Sequence, residues 1–81
     1  MNVTVRLFAT LRQQAGWASQ TVALPEDATV KVLIGLLDEQ NAGLNIANRS
    51  VYAAVNQSYT QVDVVLHEGD EVAFFPPVSG G

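Results

Sequence analysis

The stretch "PEDATVKVLIGLLDEQNAG", residues 25–43, decides the fold. Val30, Leu33, Ile34 and Leu37 recur at i, i+3, i+4 and i+7, so one side of a helix is apolar and must be buried. Thr29 or Asp27 can cap its start. Asp38 and Glu39 are followed by Asn41 and Gly43 as a stop. Gly35 lies inside this pattern at a cost of about 1 kcal/mol relative to Ala. The expected reason is a close approach of the helix to a sheet.

That sheet is legible on both sides of the helix. In "NVTVRLF", residues 2–8, Val3, Val5 and Leu7 alternate with Asn2, Thr4, Arg6 and Phe8, as in a half-buried strand with Phe8 an outward-facing aromatic. Residues 9–15 read as a short helix that Gly16 terminates. Residues 19–24 form a second strand, stopped by Pro25, and the first two strands make a hairpin. Beyond the long helix, 51–57 is a third strand and 59–65 is a weaker strand or an extended loop. "HEGD" at 67–70 is a turn with Gly69 at the awkward dihedral. "EVAFFPP" at 71–77 is the last strand, ended by Pro76 and Pro77, with Val72 and Phe74 pointing one way and Ala73 and Phe75 the other.

The resulting order is β, short α, β, long α, β, β, β. One long helix and a mixed sheet in so short a chain give a two-layer α+β domain. A four- to five-stranded sheet with one main helix packed on one face is the β-grasp, or ubiquitin-like, arrangement. Its first and last strands are central neighbours, which brings Phe8 and Phe75 together on the face the helix leaves open. Residues 1–81 make a single domain, with 76–81 as a flexible C-terminal tail.

Composition narrows the function. An 81-residue chain buries only about 60–65% of the surface its unfolded form exposes, which leaves no room for a large cleft. Apolar residues make up 48% and charged residues 15%, a globular balance. The net charge is -4 and the four cations are Arg6, Arg12, Lys31 and Arg49, so nucleic acid is not an expected partner. The absence of cysteine excludes a disulfide scaffold, a thiolate metal site and a thiol nucleophile. The N-terminus alternates like a strand and lacks a signal-peptide core, and no window reaches membrane-span length; a cytoplasmic location follows as the expectation.

Few residues suggest chemistry. His67 lies in an acidic turn with no nucleophile beside it, and reads as a solvated turn residue. Glu68, Asp70 and Glu71 match no calcium loop. Trp17, after Gly16, is a partly exposed cap over a helix or an interface anchor. Phe8, Tyr59 and Phe75 form a docking patch if the register holds, since exposed aromatics are natural anchors; a shifted register would bury one or more of them. In the tail, Pro76 and Pro77 fix φ and stiffen the exit from the last strand. Val78 and Ser79 extend it. Gly80 and Gly81 make a thread thin enough for a narrow site on another protein, with a carboxylate at its tip.

"VRLFATLR" at 5–12, "AAVNQ" at 53–57 and "EGDEVAFFPPVSGG" at 68–81 together resemble the small subunits of molybdopterin synthase, the MoaD family. The resemblance runs from the first strand to the last residue, and residues 25–50 match it in pattern only. Ser79 stands where Thr is also common, and Tyr59 where an aliphatic residue is frequent. The resemblance implies a sulfur carrier in molybdenum-cofactor biosynthesis with no turnover of its own. An E1-like adenylyltransferase would use ATP to activate Gly81, and a sulfur donor would convert the adenylate to a thiocarboxylate. The tail would then enter the large synthase subunit, in a 2+2 heterotetramer, and give sulfur to cyclic pyranopterin monophosphate. It implies no cofactor bound by this chain. Two other readings stay open: a sulfur carrier of another pathway such as thiazole synthesis, and a ubiquitin-like protein modifier or interaction domain.

Overall fold

Residues 1–77 are described by the computed structural model of the 81-residue chain. Strand β1 (Asn2–Leu7) leads into helix α1 (Ala9–Ala15) and strand β2 (Ser19–Ala23). Helix α2 (Val30–Gln40) follows, then a 3-10 turn (Ile46–Asn48) and strands β3 (Tyr52–Val55), β4 (Ser58–Tyr59) and β5 (Glu71–Phe75). The strands form one sheet in the order β2-β1-β5-β3-β4. β1 pairs with β5 in parallel and with β2 antiparallel, and β3 pairs antiparallel with β5 and β4. The β-grasp expectation holds, with β1 and β5 as central neighbours.

The apolar stripe of α2 explains the layering. Val30, Leu33, Ile34 and Leu37 are buried, against Val3, Val5 and Leu7 of β1 and Val72 and Phe74 of β5 in a single core. Phe74 is its largest fully buried side chain. Burial of this kind stabilises by roughly 1.5–3 kcal/mol per large aliphatic or aromatic side chain. Thr29, not Asp27, caps α2: its hydroxyl accepts from the Val32 N–H at 3.3 Å. Asp27 instead occupies the preceding turn with φ 65°. At the other end, the Asn41 N–H and its side-chain amide both donate to the Leu37 carbonyl. Gly16 closes α1 in the left-handed conformation, φ 84°.

Two expectations need correction, and one open alternative is decided. Gly35 does not approach the sheet: it is exposed, and a Cβ placed on it meets no atom within 4 Å. The strand expected over 51–57 is the shorter Tyr52–Val55, because Asn56 and Gln57 take positive φ in a two-residue hairpin turn. The segment 59–65 is the extended loop rather than the strand. Only Tyr59 belongs to β4, and Val65 makes a single antiparallel bridge to Thr29.

Candidate functional site: the open face of the sheet

Helix α2 covers one side of the sheet, and among the described residues no helix covers the other. Three register relations build what lies there. Leu7 pairs with Phe74, so the next residue, Phe8, which stays extended and donates its N–H to the Phe74 carbonyl, lies beside Phe75. Tyr52 pairs with Phe75 across β3 and β5. Ala54 pairs with Tyr59 across the β3–β4 hairpin. Because side chains alternate along a strand, these relations bring Phe8, Tyr52, Tyr59 and Phe75 to one face.

The rings meet edge to face. Centroids are 5.9 Å apart for Phe8 and Phe75, 5.7 Å for Tyr59 and Phe75, and 6.1 Å for Tyr52 and Tyr59. Such pairs are each worth about 0.5–1.5 kcal/mol beyond the area they bury. Phe75 is half-buried at the centre, whereas Phe8, Tyr52 and Tyr59 are 40%, 52% and 75% exposed. Ala54 and Ala73, opposite each other in register, floor a shallow depression beside the rings. Arg6 lies over the Phe8 ring at 5.6 Å and reaches Glu71 at 3.8 Å. An apolar centre with a polar margin is the anatomy of a protein-binding surface.

The structure thus brings together Phe8 and Phe75, as their alternation predicted, together with Tyr59, and adds Tyr52. The sequence reading missed Tyr52 because "AA" follows it and both alanines are buried, so β3 carries no alternating signal. Pro76 and Pro77 follow β5 directly, Pro76 half-buried and Pro77 exposed. Val78, Ser79, Gly80 and Gly81 lie outside the described residues.

The remaining candidates fit their quieter readings. The Trp17 indole N–H donates to Asn41 Oδ1 at 3.2 Å, so the half-buried ring caps the end of α2. His67 is exposed, in a turn that Gly69 allows with φ 83°, and its backbone N–H donates to Asp70. Among the described residues, no three His, Asp or Glu side chains gather around a metal-sized site, and no helix is long and apolar enough to cross a membrane. The open face thus offers an apolar, aromatic surface from which Pro76 and Pro77 lead away.

Comparison with known proteins agrees with this geometry. The ThiS family model matches residues 5–81. The molybdopterin synthase sulfur carrier subunit of Escherichia coli (strain K12) is 38% identical, covering 98% of this chain and 99% of that protein. The molybdopterin synthase sulfur carrier subunit of Chlamydomonas reinhardtii is 35% identical over the full length of both. Among solved structures, SAMP1 from Haloferax volcanii superposes over all of both chains with a TM-score of 0.88 at 28% identity.

Proposed function

Because this chain belongs to the ThiS family, we propose that it is the sulfur carrier subunit of a molybdopterin synthase. The observation that carries the reading is the junction of the aromatic face with the tail: Phe75 centres the docking surface, and Pro76 and Pro77 follow it without a break. Docking there would aim residues 78–81 into the partner. The relatives' shared name, a sulfur carrier subunit of a synthase, supports both halves of the proposal.

The chemistry asks little of the chain itself. A free carboxylate is a poor electrophile. An E1-like adenylyltransferase would join the Gly81 carboxylate to the α-phosphate of ATP, with pyrophosphate leaving. A donor of a hydrosulfide equivalent would then attack the acyl carbon; a C–S bond forms, the C–O bond to AMP breaks, and Gly81 ends in a thiocarboxylate. Its soft anionic sulfur is the nucleophile that the carboxylate oxygen is not. In the large subunit, within a 2+2 heterotetramer, it would form a C–S bond to cyclic pyranopterin monophosphate as the dithiolene is built; water would then cleave the acyl C–S bond, leaving the sulfur on the pterin and returning Gly81 to a carboxylate. Glycine at 80 and 81, having no side chain, would suit a narrow partner site and would not shield the acyl carbon. Sulfur held on the main chain suits a protein with no cysteine. ATP would be held by the activating enzyme and no cofactor by this chain, with the cytoplasm as the working compartment.

A second reading has its own support. SAMP1 is a small archaeal modifier protein, so the same acyl-adenylate could be captured by a lysine amine rather than by sulfur. Purified reconstitution separates the two. The chain, its activating enzyme, ATP, a sulfur donor and the large subunit should sulfurate the pterin, and deletion of Gly81 should abolish this while leaving the melting temperature unchanged. Isopeptide conjugates formed without pterin sulfuration would support the modifier instead.

A further inference from the structure

A second concavity lies on the helix side of the sheet, where α2 stops short of β3 and β4. It is a groove of about 830 Å³ between α2, the 3-10 turn and the loop after β4. Ile34 and Phe74 form part of its floor, Val62 is on its edge, and Lys31 and Arg49 line it.

The charges single the groove out. The chain has four cations against eight acids, yet two of the four are among the residues that line this one concavity. Among the described residues, neither has a carboxylate within ion-pair distance. Lys31 sits in the first turn of α2, where the helix macrodipole disfavours a cation, and that turn carries no acid to offset it. Arg49 is half-buried and held in place: its Nη1 donates to Gln14 Oε1 on α1 and to the Leu44 carbonyl. A guanidinium fixed by neutral acceptors without a counter-charge keeps further donors for an external anion. Val62, 47% exposed, adds apolar surface beside it.

Tyr59 lines both this groove and the depression on the aromatic face, so the two surfaces meet around the short β4 edge. We propose that the groove receives an acidic segment with aliphatic side chains, belonging to the partner docked on the aromatic face and reaching round Tyr59 to Lys31 and Arg49. This rests on the docking reading given above.

Stopped-flow association of the full chain with the large synthase subunit, at low and high salt, tests it. Lys31 is exposed, so Lys31→Glu should leave the fold intact. It should slow association roughly tenfold at low salt and flatten the salt dependence, and Lys31→Arg should restore both. In the complex, the Ile34 and Val62 methyl resonances should shift. Wild-type association and salt dependence for Lys31→Glu, with Phe75→Glu unable to bind, would overturn the groove and leave the docking face standing. Wild-type binding by Phe75→Glu would overturn the docking reading itself. Methyl shifts that appear in the chain alone as its concentration rises would point to a second copy as occupant, and would also overturn the proposal.

Discussion

Tyr59 stands edge-on to Phe75, ring centroids 5.7 Å apart with planes at 78°. β4 is only two residues long, and pairing with Ala54 holds this tyrosine over the last strand. Phe75 therefore has an aromatic neighbour on each side, Phe8 at 5.9 Å being the other. Its immediate neighbour in sequence, Phe74, faces the core and is fully buried. Two identical side chains one residue apart thus do different work.

Glutamate at the two positions should separate those roles. Phe74→Glu buries an unpaired carboxylate, at a cost exceeding about 4 kcal/mol, close to the whole stability of a small domain. It should unfold the chain. Phe75→Glu should still fold, with a melting temperature lowered only by the loss of its two ring contacts, about 1–3 kcal/mol, yet lose about 2 kcal/mol or more of binding to the large subunit. Thermal melts and calorimetry read the two effects; the reverse pattern would put the wrong face outward.

Gly35→Ala should stabilise the domain. The site is exposed, mid-helix, and open for at least 4 Å around the new methyl group. Helix propensity then acts alone, giving about 1 kcal/mol and a rise in melting temperature of roughly 4–8 °C for a domain of this size. Urea titration followed by the fluorescence of Trp17, the single tryptophan, measures it. A loss of stability would mean that the glycine packs against something after all.

Gln57→Gly should also stabilise. Gln57 is the second residue of the β3–β4 turn and carries φ 74°, a conformation glycine adopts without strain. The gain expected is about 1 kcal/mol. Its neighbour Asn56 is different. It tolerates φ 50° and clamps the start of β5, donating to Asp70 and accepting from the Glu71 N–H, so Asn56→Gly should lose stability in the same urea titration.

Asp38→Ala should cost about 1–3 kcal/mol. The Asp38 carboxylate accepts from the Ile46 N–H at 2.7 Å and the Ala47 N–H at 3.0 Å, tying α2 to the 3-10 turn. Asp38→Asn should recover part of the loss, since one amide oxygen can still accept. Equal urea midpoints for wild type and Asp38→Ala would show that water replaces the carboxylate.

Local patterns made most of the architecture legible. The α2 stripe, the β1 alternation and the Gly16 and Gly69 stops each rest on chemistry within a few residues. Phe8 and Phe75 were readable as neighbours because alternation and a central β1–β5 pairing suffice to bring them together. What stayed hidden depends on distant partners. Tyr52 joins the patch only through its register with Phe75, and flanking alanines leave its strand without a period. Asp38 reads as part of a helix stop, and only the folded chain shows it capping a turn eight residues on. Gly35 suggests a close contact by its identity, but the helix turns that position to solvent. The groove at Lys31 and Arg49 joins residues from α2 and the segment before β3, which no spacing rule connects.

In the proposed function, sulfur travels on the carboxyl end of Gly81. Intact-mass analysis after incubation with the cognate activating enzyme, ATP and a sulfur donor tests it most directly. The expected result is a mass gain equal to exchange of one oxygen for sulfur, located on the terminal residue by fragmentation and absent without ATP. An unchanged mass, with the activating enzyme shown to be active on another substrate, would contradict it.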